Sequence, residues 1–179
     1  AAITNTGTYT LEYDSDSIKT ITEDEINILI AHEMIYNWSL MGESADSIGA
    51  DENVGVANYY FPILLQKFSM LSAPTFLHAM NNLTSAYYTN PMRALSNKAA
   101  LEIAWDNFHA QRLPYARGFT YLVKVNPQIL KASNGKRSVD DIMPVLLQKR
   151  LRGEPFGADI WLDLLTCELG PSANPNSKI

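Results

Sequence analysis

The residues with the clearest chemical pattern are His32 and Glu33, with Tyr36 three residues further on. Positions i and i+4 of an α-helix lie on the same face, so two histidines at that spacing can hold one zinc ion. A glutamate beside the first histidine can then act as general base on the metal-bound water. Here a tyrosine stands four residues after His32, and a phenol with a pKa of about 10 is a poor zinc ligand at neutral pH.

Two downstream segments extend this pattern. They are Asn53 to Tyr60, which reads Asn-Val-Gly-Val-Ala-Asn-Tyr-Tyr, and Pro114 to Gly118, which reads Pro-Tyr-Ala-Arg-Gly. Together with the stretch His-Glu-Met-Ile-Tyr-Asn-Trp, they resemble the active-site segments of gluzincin metallopeptidases, and among these the glycyl-aminopeptidase family, related to aminopeptidase N. Its segments read H-E-x-x-H-x-W, S-E-G-x-A-E-Y-Y and P-Y-x-R-G. The resemblance spans roughly residues 20 to 170 and implies a thermolysin-like or gluzincin-like catalytic domain.

The resemblance also implies that the zinc site has been dismantled. Tyr36 replaces the second histidine ligand and Val54 replaces the glutamate of S-E-G, which leaves His32 alone. Zinc held by one neutral imidazole would be bound weakly. Asp51 or Glu52 could substitute only if a loop were shifted toward the site. We therefore predict no metal and no other cofactor. Zinc held by His32 and Tyr36, with one of these carboxylates, is the alternative.

The retained side chains could do acid–base chemistry without a metal. We expect four catalytic candidates to face one cleft: His32, Glu33, Tyr36 and Tyr115. Glu33 would act as base and Tyr36 as acid. Tyr115 would have the oxyanion-donor role that the resemblance implies. The competing interpretation is a buried and fully hydrogen-bonded network. The candidates for substrate binding are Arg117 as a carboxylate anchor, with Trp38 and Tyr59 as aromatic lining. His78 and His109 are interpreted as ordinary helix histidines.

Three functions remain open at this stage. The first is a peptidase-like protein without zinc that binds or transforms a small molecule by isomerisation, cyclisation or dehydration. The second is a zinc aminopeptidase with an atypical ligand set. The third is a non-catalytic module whose cleft binds a small molecule or a peptide.

The composition narrows the range of partners. The chain has 179 residues, 46% hydrophobic content and a net charge of −5, with its basic residues scattered, so a nucleic-acid groove is not expected. No apolar run approaches the roughly 20 residues of a membrane span. Cys167 is the single cysteine, and its apolar surroundings predict a buried thiol. Together these features favour a reducing compartment, and we expect the cytoplasm.

Residue patterning predicts a mainly α protein of the α+β class. One strand is expected over Thr6 to Tyr13, followed by about seven helices that form a bundle. A lone strand needs a partner, which points to a second chain or a preceding N-terminal segment. Capping boxes are predicted at Thr22 and Ser138. Residues 1–170 are expected to form the domain, and 171–179 a disordered tail.

The predicted interruptions come mostly from proline and small polar residues. Gly42 to Asn53 is expected to be a loop, and Pro62 and Pro127 are expected to kink or break their helices. Ser96 to Ala110 is predicted as one continuous helix.

Overall fold

The structure is a computed structural model that describes residues 2–5, 8–11, 14, 16, 19–38, 47–155 and 158–170. Side chains are described at 14, 16, 19–35, 55–155 and 159–170. The predicted tail, 171–179, lies outside these ranges.

The protein is mainly α-helical, as predicted. Two short strands, β1 (Ala2–Asn5) and β2 (Thr8–Leu11), pair antiparallel with Ala2 opposite Leu11. β2 lies within the strand expected over Thr6 to Tyr13, and its partner comes from the same chain. The helices are α1 (Glu23–Trp38), α2 (Ser47–Lys67), α3 (Ala73–Tyr88), α4 (Asn97–Glu102), α5 (Phe108–Ala132), α6 (Val139–Leu151) and α7 (Ala158–Leu169).

Both predicted capping boxes are confirmed. At the start of α1, the Glu25 carboxylate accepts hydrogen bonds from the backbone N–H and the hydroxyl of Thr22, each at 2.8 Å, and the Glu25 N–H donates back to Thr22 Oγ1. At the start of α6, the Ser138 N–H donates to the Asp141 carboxylate at 2.7 Å, and both arms of the box are present. These caps satisfy backbone donors that the first helical turn leaves without partners.

Several predicted interruptions are wrong. Part of the expected loop from Gly42 to Asn53 is helical, because α2 begins at Ser47. Pro62 lies inside α2 and Pro127 inside α5 without ending either helix. Proline costs a helix one hydrogen bond, but tertiary burial can outweigh that cost, and Pro62 is fully buried.

The continuous helix predicted from Ser96 to Ala110 is also wrong. α4 ends at Glu102, and a new helix starts at Phe108. The Asn107 side chain accepts hydrogen bonds from the N–H groups of His109 and Ala110, at 3.0 and 3.1 Å. Asn107 therefore caps α5, and this capping signal was missed in the sequence.

The chain divides into two compact units, Ala1–Thr120 and Tyr121–Ile179, and the division falls within α5. In the first unit a buried cluster joins α3, α4 and α5 through Tyr87, Ala100, Ala110, Leu113 and Ala116. In the second unit the Arg137 guanidinium donates to both oxygens of the Glu168 carboxylate, and the Trp161 indole donates to the Tyr121 hydroxyl at 2.9 Å.

Two further predictions concern the burial of the Cys167 thiol and the presence of a membrane-spanning helix. The Cys167 thiol is exposed on α7, so the expectation of a buried thiol is wrong. The helical period of α7 turns this residue away from its buried neighbours Trp161 and Leu165. Among the helices of the described residues, none is long and apolar enough to cross a bilayer.

Two glycines bring α2 and α5 into backbone contact within the first unit. A Cβ atom added at Gly55 would lie 2.5 Å from the Cα and 2.8 Å from the carbonyl carbon of Gly118. Real Cβ atoms do not approach backbone atoms this closely, so any side chain at Gly55 would force the two helices apart. The contact joins two of the three segments that the sequence singled out.

We therefore expect Gly55→Ala to lower the free energy of unfolding by about 2 kcal/mol or more. The clash outweighs the gain of about 1 kcal/mol in helix propensity. Chemical denaturation measures this difference. Gly135→Ala is the control: Gly135 has a positive φ of 78° and nothing within 4 Å of an added Cβ, so it tests backbone strain without a clash. A Gly55→Ala protein as stable as wild type would contradict the backbone contact.

Candidate functional site

A cavity of about 600 Å³ lies in the first unit and is open to solvent on one side. One face of α1 contributes residues at helical spacing, and α2, α3 and α5 supply the other walls. Its apolar lining residues are Ile28, Leu29, Phe61, Leu83, Ala86, Phe108 and Ala116. Its polar lining residues are Glu25, His32, Asn58, Gln111, Arg112 and Tyr115. Mostly apolar walls with a few polar groups are typical of small-molecule sites.

The imidazole of His32 is flanked by aromatic rings from two other helices. Tyr115 of α5 stacks on it with ring centroids 6.3 Å apart and an angle of 25° between the planes. Phe61 of α2 meets it edge-on, with centroids 6.0 Å apart and an angle of 66°. The structure therefore brings together His32 and Tyr115, two of the four predicted catalytic residues.

Removal from water is the main influence on the charge of His32. Burial lowers the pKa of the imidazole, because the charged form loses more hydration than the neutral form. The negative charge of Glu33 and a side-chain hydrogen bond with Asn58 oppose this effect without reversing it. The ring is therefore neutral at pH 7, and a neutral imidazole can accept a hydrogen bond or a proton.

Asn58 is the buried polar partner of His32. It lies on α2 with a relative exposure of 6%, and its side-chain hydrogen bond favours the protonated imidazole.

The other predicted catalytic residues are placed differently. The Glu33 side chain is buried at 8% exposure but is not among the residues that line the cavity, because adjacent helix positions point in different directions. The expectation that Glu33 shares this cleft with His32 is not supported by its position. Tyr36 belongs to α1, and its side chain lies outside the part that the structure describes.

Of the predicted substrate-binding residues, Arg117 and Tyr59 are not among the residues that line the cavity. Arg117 donates to the carbonyl oxygens of Leu95 at 2.6 Å and Arg93 at 3.1 Å, and to the side chain of Asn97. These bonds hold the segment before α4 against α5, which is a structural role. Tyr59 is buried and packs edge-on against Tyr60. Trp38 ends α1, and its side chain is outside the described set.

The described side chains offer little to a metal ion. Among them, no group of three or more His, Cys, Asp or Glu residues could hold one. His78 and His109 are exposed on α3 and α5, in agreement with their interpretation as ordinary helix histidines. Asp51 and Glu52 lie in the helix α2 rather than in a loop, with their side chains outside the described residues.

Among the cavity residues that the sequence did not predict are Asn58, Phe61 and Arg112. Asn58 had a signal, since a buried asparagine in an apolar helix needs a hydrogen-bond partner. Phe61 was indistinguishable from a core residue. Arg112 had no sequence signal, because its importance comes only from its place at the cavity.

The lowered pKa of His32 predicts a specific pH dependence of stability. The unfolded chain, with a histidine pKa of about 6.5, binds a proton more readily than the folded chain. The contribution of His32 to stability is therefore complete above that pH and is lost as the pH falls through the lower pKa of the folded state. We expect the free energy of unfolding, measured by urea titration between about pH 8 and pH 5, to fall less in His32→Gln than in wild type. The exposed His78→Gln is the matched control, and equal slopes in His32→Gln and wild type would contradict the assignment.

Comparison with known proteins identified no relative of this chain. No protein-family model, curated protein or solved structure matches the chain. The functional interpretation therefore depends on the geometry around His32.

Proposed function

We propose that this protein binds a small, largely apolar organic molecule in the cavity beside α1. We further propose that it transforms this molecule by metal-free acid–base chemistry, with His32 as base and Tyr115 as hydrogen-bond donor. One observation carries the proposal: a desolvated imidazole with a lowered pKa lines an apolar cavity and is stacked on a phenol.

The chemistry follows from the state of the ring. A general base must be unprotonated at the working pH and must reach the substrate, and a pKa below the usual histidine range meets the first condition at neutral pH. Because His32 lines the cavity, its neutral imidazole is within reach of a ligand bound there and would take the proton from it. Asn58 would hold the tautomer in place and is a positioning residue in this scheme.

Tyr115 supplies the complementary group. A phenol donates a hydrogen bond to an oxygen that gains negative charge as the base removes a proton. The Tyr115 ring already lies over the His32 ring, so both groups can reach one small ligand. Isomerisation, cyclisation and dehydration all combine proton removal with charge development on a nearby heteroatom.

The proposed ancestry is a gluzincin-like peptidase fold that has lost its zinc site. Supporting it are the segments around His32, Gly55 and Gly118, of which the last two meet in space. No step of the proposed reaction uses zinc. The base differs from the one expected from sequence, since His32 rather than Glu33 lines the cavity.

The elimination of 5-nitrobenzisoxazole tests the proposal. In this reaction a base removes the proton from the ring carbon, the N–O bond opens, and a coloured cyanophenolate forms. An apolar cavity that holds an unprotonated base and a phenol donor should accelerate it. We expect His32→Gln to lower the rate by roughly a hundredfold and Tyr115→Phe by about tenfold. His78→Gln is the control and should match wild type, and the rate should be the same with a chelator present.

The alternatives give different outcomes in the same assay. A rate that survives His32→Gln but is lost in Glu33→Gln would assign the base to Glu33. A rate abolished by the chelator and restored by zinc would favour the zinc aminopeptidase. Binding of the probe without any acceleration over buffer would favour the non-catalytic module.

A further inference from the structure

The cavity lining includes one arginine, Arg112, for which the described residues supply no carboxylate partner. Arg112 lies in the second turn of α5, lines the cavity and is exposed. The first unit has two other arginines, and both are engaged: Arg93 donates to the Tyr88 carbonyl, and Arg117 donates to three acceptors around α4. Among the residues that the structure describes, no hydrogen-bond acceptor or carboxylate partner is found for Arg112.

The guanidinium of Arg112 is nevertheless held in place. It lies over the ring of Phe108, one helical turn earlier, with 5.1 Å between the guanidinium carbon and the ring centroid. Phe108 also lines the cavity and is 62% exposed. Stacking on an aromatic face orients the planar fork while leaving its N–H groups available, and that fork matches a carboxylate.

We propose that the ligand of this cavity is an organic carboxylate, with its apolar body against the inner walls and its carboxylate on Arg112. This inference rests on the proposed function, because it assigns the ligand class of the same cavity. The inner walls are apolar and can take a hydrocarbon or aromatic body. The polar groups near His32 then face the part of the ligand that reacts.

The other charged group at the cavity, the Glu25 carboxylate, already has hydrogen-bond partners. The Glu25 carboxylate accepts two hydrogen bonds from Thr22 at the N-terminus of α1, and these bonds lower its pKa, so it is negative at neutral pH. The positive end of the α1 dipole compensates that charge locally. An anionic ligand head would therefore lie on the α5 side of the opening, next to Arg112 and away from the start of α1.

Three probes with the same apolar body and different heads test this inference: 6-phenylhexanoate, 6-phenylhexanamide and 6-phenylhexylammonium. Calorimetric titration at low ionic strength should show that the carboxylate binds about five- to tenfold more tightly than the amide, and that the ammonium binds most weakly. Added salt should reduce the preference for the carboxylate.

Two matched variants assign the preference to one side chain. Arg112→Gln removes the charge at the opening and should make the carboxylate and the amide bind equally. Lys98→Gln removes the same unit of charge from an exposed position of α4 in the same unit and should keep the preference. Both changes are at exposed residues, so unfolding is not expected to obscure the result.

Each contrary outcome has a distinct meaning. If the amide binds as tightly as the carboxylate in wild type, or if Arg112→Gln keeps the preference, the carboxylate inference is overturned while the cavity remains a ligand site. Tighter binding of the ammonium would overturn it in favour of a cationic ligand at Glu25. If none of the three probes binds to wild type, the proposed function fails together with the inference.

Discussion

The backbone contact between α2 and α5 is the constraint on which the site depends. Only glycine at position 55 allows this distance, because a Cβ atom added there would lie 2.5 Å from the Cα of Gly118. Asn58 lies one turn beyond Gly55 on α2, and Tyr115 lies about one turn before Gly118 on α5. The close approach of the two helices therefore brings both side chains to the ring of His32, which α1 supplies from a third side.

The polarity of the cavity follows from the positions of its charged lining residues. Close to His32 the walls are aromatic or aliphatic, and the low polarity keeps the imidazole neutral. The two formal charges of the lining belong to the exposed residues Glu25 and Arg112. Water around these residues reduces the free-energy cost of their charges. An apolar interior with charges toward solvent sets up one end of a ligand for anchoring and the other end for proton transfer.

Local sequence signals predicted those parts of the molecule that depend on neighbouring residues. The capping boxes at Thr22 and Ser138 follow from side chains within a few residues of the backbone groups they satisfy. The continuity of α2 through Pro62 was not predictable, because burial by distant segments decides it. For the same reason the motif suggested that His32 and Tyr115 lie together but could not show that Arg112, and not Glu33, is among the cavity-lining residues.

The segment from Tyr115 to Gly118 shows that a short sequence pattern can serve the fold as well as the site. Successive helix positions differ by about 100°, so Tyr115, Arg117 and Gly118 point to three different sides of α5. The Tyr115 ring stacks on His32, Arg117 donates hydrogen bonds to the segment before α4, and Gly118 contacts α2. Selection for folding alone would therefore favour keeping Arg117 and Gly118, whatever reaction the site performs.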